Sequence, residues 1–142
     1  MLRLMNKDDI NEIINIENEA LGHTLGFDML NEIIDNPMMS AYVYEKDNKI
    51  LGYISISFDG ITLEILNFCV DVNNQNKGIG KEILTNLFEI YKNEGCKNVI
   101  LDVRENNLRA IHVYESFGFK LIHKRIKYYD NKIDALIYEK KL

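Results

Sequence analysis

The spacing of apolar positions changes several times along the chain, and each change marks an element. "LRL" (Leu2 to Leu4) reads as a short strand. In "NKDDINEIINIENEAL", Ile10, Ile13, Ile14 and Glu17 fall at helical spacing behind Asn6, a residue suited to N-capping. Gly22 and Gly26 interrupt the pattern, and "FDMLNEIIDN" resumes it until Pro37, which disfavours helix at Asn36. "SAYVYEK" and "ILGYISISF" flank "DNK" and predict a hairpin. "ITLEILNFCVDV" is apolar on both faces, as expected of a central strand. Ile79, Ile83, Leu84, Leu87, Ile90 and Tyr91 form one helical stripe, with Gly95 placed for a C-terminal cap. "NVILDV" reads as a buried strand, and "NLRAIHVYESFG" as a short helix opened by Asn107 and closed by Gly118. "FKLIHKRIKYY" and "KIDALIYEKK" form a closing strand pair around a second "DNK". This order predicts one α/β (α+β) domain over residues 1–142, with a mixed central sheet of about seven strands flanked by about four helices.

Composition narrows the function classes. A chain of 142 residues can bury a real core, and 46% hydrophobic with 27% charged residues is ordinary for a soluble domain. A formal net charge of -5 argues against a nucleic-acid partner. No apolar run is long enough for a membrane span, and "MLRLMNKDD" turns acidic too soon for a signal peptide. Cys69 and Cys96 lack metal spacing and are expected to be reduced thiols in a cytoplasmic protein. His23, His112 and His123 are scattered, so no metal site is expected.

The hexapeptide "QNKGIG" (Gln75 to Gly80) joins an apolar, strand-like run to a helix-like run. A Walker loop fails, because Gln75 stands where its first glycine belongs and Glu82 where its Ser or Thr belongs. A dinucleotide fingerprint fits poorly, because Ile83 replaces the third glycine and no βαβ half precedes the strand. Two readings remain. Gly78 and Gly80 could admit an anion to the free N–H groups of the helix start, with Gln75, Asn76, Lys77 and Lys81 as further donors. They could equally make only a tight turn.

The longer pattern separates these. "NFCVDVNNQNKGIGKEIL" and "VILDVRENNLRAIHVYESFGF" together resemble the GNAT superfamily of acyl-CoA-dependent N-acetyltransferases. The matching positions are Val70, Asp71, Gln75, Gly78, Gly80, Asn107, Ala110, Tyr114, Glu115, Gly118 and Phe119. "LDVRENN", "YESFGF" and "YYDNKIDALI" are most similar to the ribosomal-protein-alanine N-acetyltransferases, which acetylate protein N-termini. The resemblance implies acetyl-CoA as cosubstrate, with its pyrophosphate held by Gln75, Asn76, Lys77, Gly78, Ile79, Gly80 and Lys81. It also implies backbone pairing of Phe68, Cys69 and Val70 with the pantetheine arm, and a contact from Asn107. A monomer or weak homodimer is expected.

The chemistry asks for an unprotonated amine and a proton for the leaving thiolate. Glu64 and Asp102, acids in otherwise apolar strands, are the candidate bases; burial there would raise their pKa toward the working pH. The resemblance places Glu64 at the central-strand base position. Asp102 stands where the ribosomal-protein enzymes carry a catalytic glutamate, and its side chain is shorter by one C–C bond, roughly 1.5 Å. Tyr114 is implied to be the general acid, and also to contact the coenzyme. Tyr128 and Tyr129 are implied to lie near the acceptor. Cys69 is read as a small buried residue, not a nucleophile. "ALGHTLGFDML" lacks the Phe-Pro-Trp-Ser-like segment of the ribosomal-protein enzymes, so a small amine, polyamine or lysine acceptor stays open. So does a non-catalytic acyl-CoA sensor.

Overall fold

The computed structural model describes residues 1–129 and 132–142. Asp130 and Asn131, within the expected closing turn, lie outside the described residues, as does the side chain of Tyr129. The elements are β1 (Leu2–Leu4), α1 (Ile10–Leu21), α2 (Phe27–Asp35), β2 (Met39–Lys46), β3 (Lys49–Phe58) and β4 (Thr62–Val70). Then follow α3 (Ile79–Asn93), β5 (Asn98–Arg104), α4 (Leu108–Ser116), β6 (Lys120–Tyr129) and β7 (Ile133–Lys141). Short 3₁₀ turns at Lys7–Asp9 and Val72–Asn74 precede α1 and follow β4. The order is the one the sequence predicts.

All seven strands join one sheet in the order β1-β2-β3-β4-β5-β7-β6. Only β4 and β5 run parallel; every other neighbour pair is antiparallel. Local chemistry sets the ends. Asn6 caps the first turn through a reciprocal capping box with Asp9. Asp47 and Asn48, both at positive φ, make the two-residue hairpin turn that suits strand twist. Asn107 accepts from the Ala110 N–H at 3.2 Å and caps α4.

Two details depart from the sequence reading. β4 stops at Val70 rather than running through Val72. There the Asn74 N–H bonds the Asp71 carbonyl at 2.8 Å and its side chain bonds the Asp71 carboxylate at 2.6 Å, curling the chain into the 3₁₀ turn. Ile90, counted in the α3 stripe, is 38% exposed, because Tyr91 occupies the inward direction.

The sheet separates two apolar clusters. One lies under α3 and α4 and includes Ile54, Leu63, Ile65, Leu84, Leu87, Leu101 and Tyr114. Gly52 lets α3 approach: a Cβ there would stand 2.7 Å from Ile83 Cδ1. The other lies under α1 and α2 and includes Ile10, Ile13, Leu30, Ile33, Val43, Tyr53 and Cys69. No described residue of β5, β6 or β7 belongs to this second cluster, so its helices cover only half the sheet. No helix among the described residues is long and apolar enough to cross a membrane.

Candidate active site

The site begins with an irregularity in β4. Ser55 pairs with Asn67 and Ile56 with Ile65, so Leu66 is an extra residue, a β-bulge. The bulge reverses the alternation of side chains. Leu63 and Ile65 before it, and Phe68 and Val70 after it, all pack against the α3–α4 cluster, while Cys69 turns to the α1–α2 cluster. The parallel ladder with β5 ends at the same point, after Ile65↔Leu101. Beyond it the two strands separate, β4 staying with β3 and β5 with β7. The last residues of β4 thus present an edge inside the sheet, without a strand on the β5 side.

A groove of about 330 Å³ follows that edge, within the range of small-molecule sites. Its walls are Ala20 and Leu21 of α1, Phe68 to Val70 of β4, the loop after β4 with the first turn of α3, the cap residue Asn107, and Arg109, Ala110, Val113 and Tyr114 of α4. Gly78, at φ +82°, forms the left-handed residue before α3, a conformation costly for other residues. A Cβ on Gly78 would meet nothing within 4 Å, so the glycine serves the backbone turn, not a packing contact. Among the described residues, no side chain caps the start of α3. The N–H groups of its first turn therefore stay available to an anion, which the helix dipole favours.

The groove brings together Phe68, Cys69, Val70, Gln75, Asn76, Gly78, Ile79, Gly80, Lys81, Asn107 and Tyr114. Lys77 does not line it; its ammonium turns to Asn74 Oδ1 at 3.4 Å. Gln75 Nε2 donates to the Val70 carbonyl at 3.1 Å, tying the loop to the strand end. Tyr114 is 8% exposed, its ring tilted against Phe68 at 6.4 Å and edge-on to Phe119 at 5.6 Å. The Cys69 thiol is buried, and burial pushes its pKa up to about 12, unsuitable for a nucleophile near neutrality.

Glu64 and Asp102 do not line the groove. Leu101 and Val103 point into the α3–α4 cluster, so Asp102 between them points to the other face, and Glu64 shares that face opposite Leu63 and Ile65. Glu64 lies just inside the shared ladder and Asp102 just past it. The burial expected of these acids is incomplete: Glu64 is half-buried, and the Asp102 side chain keeps 29% exposure. Asp102 also has a cation nearby, Arg125 Nη1 at 3.8 Å, and that guanidinium stacks over Tyr128, its carbon 5.1 Å from the ring centre. Tyr128 is exposed on β6. His23, His112 and His123 are exposed.

Two residues escape the sequence reading. Arg109 spans the groove mouth, donating to Gln75 Oε1 at 2.6 Å and Asn76 Oδ1 at 2.9 Å. Glu17, fully buried under α1, accepts from Thr24 and Asn67. An acid in the apolar stripe of α1 was the available sign of Glu17; an arginine two residues past the α4 cap gave no comparable sign.

Comparison with known proteins agrees with this geometry. Residues 8–119 match the Acetyltransferase (GNAT) family. A Bacillus subtilis (strain 168) protein, provisionally named ribosomal protein bS18-alanine N-acetyltransferase, is 28% identical over 138 residues, covering 96% of this chain and 91% of that one. Spermine/spermidine N(1)-acetyltransferase of the same strain is 42% identical over 57 residues, covering 37% of this chain and 36% of that one. The crystal structure of the ribosomal-protein-S18-alanine N-acetyltransferase from Escherichia coli superposes with a TM-score of 0.90 at 22% identity, covering 99% of this chain and 92% of that one. An edge opened inside a mixed sheet, an uncapped helix start behind a glycine turn, and a family match across both place the chain in the GNAT acetyltransferase family, as an acetyl-CoA-dependent N-acetyltransferase.

Proposed function

We propose that this enzyme acetylates a protein N-terminal α-amine, of the kind a ribosomal protein presents. In this reading Phe68, Cys69 and Val70 pair through their backbone with the pantetheine arm as an added strand would. The loop from Gln75 to Lys81 and the first turn of α3 take the pyrophosphate, and Asn107 bonds the arm. Tyr114 gives its proton to the departing thiolate sulfur. Glu64 or Asp102, directly or through one water, takes the proton that the attacking nitrogen loses.

The observation that carries the acceptor assignment is the half of the sheet to which the α1–α2 cluster does not extend. The face bearing Glu64 and Asp102 has no α1–α2 cluster above β5, β7 and β6, and it continues to exposed Tyr128. The strip where Asp102 keeps 29% side-chain exposure, beside buried Ala135 and Ile137, suits an extended polypeptide lying along the strands better than a closed pocket would. The connection from Gly22 to Gly26, at the α1 end beside the groove, serves as its facing wall. An α-amine also asks little of a base. With pKa values of about 7.7–8.0 and 10.4, roughly a quarter of α-amines but only about one lysine in a thousand is unprotonated at pH ~7.4. The near full-length likeness to the bS18-type relative supports the same reading.

Mass spectrometry of peptides incubated with enzyme and acetyl-CoA tests it. The panel offers Ala, Ser and Met N-termini, internal lysines and blocked N-termini. A single added acetyl confined to free N-termini, strongest at Ala, is the expected result; acetyl on lysine alone, or on no peptide, refutes it. A small-amine acceptor is favoured by one observation, the stretch shared with the spermine/spermidine enzyme. Spermidine turnover that outpaces every peptide would establish that alternative.

A further inference from the structure

α1 turns an apolar face to the sheet except at one residue. Glu17 continues the line of Ile10 and Ile13 and, like them, is fully buried. Its carboxylate holds three donors: Thr24 Oγ1 at 2.5 Å and the Leu25 N–H at 3.3 Å on Oε1, and Asn67 Nδ2 at 2.7 Å on Oε2. No cation among the described residues pairs with it. Desolvating a carboxylate without a counter-charge opposes folding, and an apolar side chain would fit the stripe at less cost. The layer is already short of partners, since the buried hydroxyls of Tyr53 and Ser55 have none among the described residues, and Ser55 lies directly across from Asn67. Core stability therefore does not account for an acid here.

The three donors do. Thr24 and Leu25 lie in the connection between α1 and α2, where a Cβ on Gly22 or Gly26 would meet nothing within 4 Å. Thr24 Oγ1 also accepts from the Gly26 N–H at 3.1 Å, so this hydroxyl ties the far end of the turn to Glu17. Asn67 follows the Leu66 bulge and precedes Phe68, at the start of the unpaired β4 edge. One carboxylate thus joins the wall assigned to the acceptor with the strand end assigned to the coenzyme. We propose that Glu17 is a positioning residue: through Thr24 and Asn67 it fixes the spacing between acceptor wall and thioester, without touching either substrate. This rests on the acceptor reading given above.

An exchange of side chains tests the link. Asn67→Asp sets two carboxylates against each other at the bond that Glu17 and Asn67 now make. Glu17→Gln with Asn67→Asp reverses that bond's polarity and keeps the net charge. The amide introduced on α1 then donates to the carboxylate introduced on β4, while its oxygen still accepts from Thr24. Assayed well below melting, Asn67→Asp should lower kcat/KM for an Ala-starting peptide by roughly 10²-fold, the usual effect of misplacement by about 1 Å. The acetyl-CoA Kd should move less than about threefold, and the double variant should recover most of the loss. No recovery in the double variant, or an equal rise in peptide KM and acetyl-CoA Kd, overturns the proposal. Amide hydrogen exchange separates it from the acceptor reading, because it needs no acceptor. In Asn67→Asp, residues 24–26 and 67–70 should exchange faster together and recover together in the double variant. Faster exchange in only one segment refutes the link even if the peptide assay succeeds. Coupled exchange in a protein that acetylates only spermidine refutes the peptide acceptor and keeps Glu17, whose kinetic test then uses spermidine.

Discussion

The two faces of the sheet are built on different principles. On the α3–α4 face the site is mostly backbone: a glycine at positive φ, an uncapped helix start and a strand edge opened by a bulge. These lie within a short stretch of chain. On the α1–α2 face the site is made by side chains meeting across long separations, Glu17 with Asn67 and Asp102 with Arg125. A donor common to a whole family can be bound by a fixed backbone device. In the proposed reading the acceptor is met by side chains, which can change singly.

Substitutions on each face should therefore fail differently. The largest effect is expected at the junction. Tyr114→Phe should lower kcat by roughly 10²–10⁴-fold, the range of a positioned general acid. The acetyl-CoA Kd from calorimetry should stay nearly constant; an equal loss of binding would make Tyr114 a packing residue only. Next, Gly78→Ala should cost about 1–2 kcal/mol of stability in chemical denaturation, the strain of a left-handed residue. It should weaken acetyl-CoA binding as well. Arg109→Ala should raise the acetyl-CoA Kd by about 3–10-fold without shifting the denaturation midpoint, if the guanidinium that now bridges Gln75 and Asn76 also meets the coenzyme's phosphates. Added salt should shrink the difference between wild type and variant.

The smallest effect belongs to the other face, away from both substrates. The Arg3 guanidinium, 2.8 Å from Asp9, holds the Asp9 carboxyl below the usual range. A lowered folded-state pKa contributes stability above the unfolded value of about 3.9, and this is lost as pH falls through the folded value. Asp9→Asn should cost about 1 kcal/mol at neutral pH and flatten the acid limb of the stability curve, with kcat/KM unchanged. An unchanged acid limb would mean that Arg3 does not hold Asp9 in solution.

The same division explains what the sequence revealed. Element order, the Asn6 and Asn107 caps and the glycine turn were legible because short-range sterics and hydrogen bonds decide them. The early end of β4 at Val70 was not, because the Asp71–Asn74 turn competes with the strand by side-chain bonding that apolar periodicity does not register. Burial at Glu64 and Asp102 was overestimated, because strand pattern cannot tell that no helix of the second cluster covers that half of the sheet. Glu17 fell at the right spacing, but its partner lies fifty residues away, on the far side of a bulge that spacing alone would not place.

That bulge also makes one codon a hinge. Alternation along a strand is a parity count, and Leu66 is the residue that changes its parity. An in-frame deletion of that codon would set Asn67 directly after Ile65 in a regular ladder and leave Phe68, Cys69 and Val70 on the faces they now hold. What the deletion would remove is the local bend that a bulge imposes, and with it the parting of β4 from β5 that opens the edge.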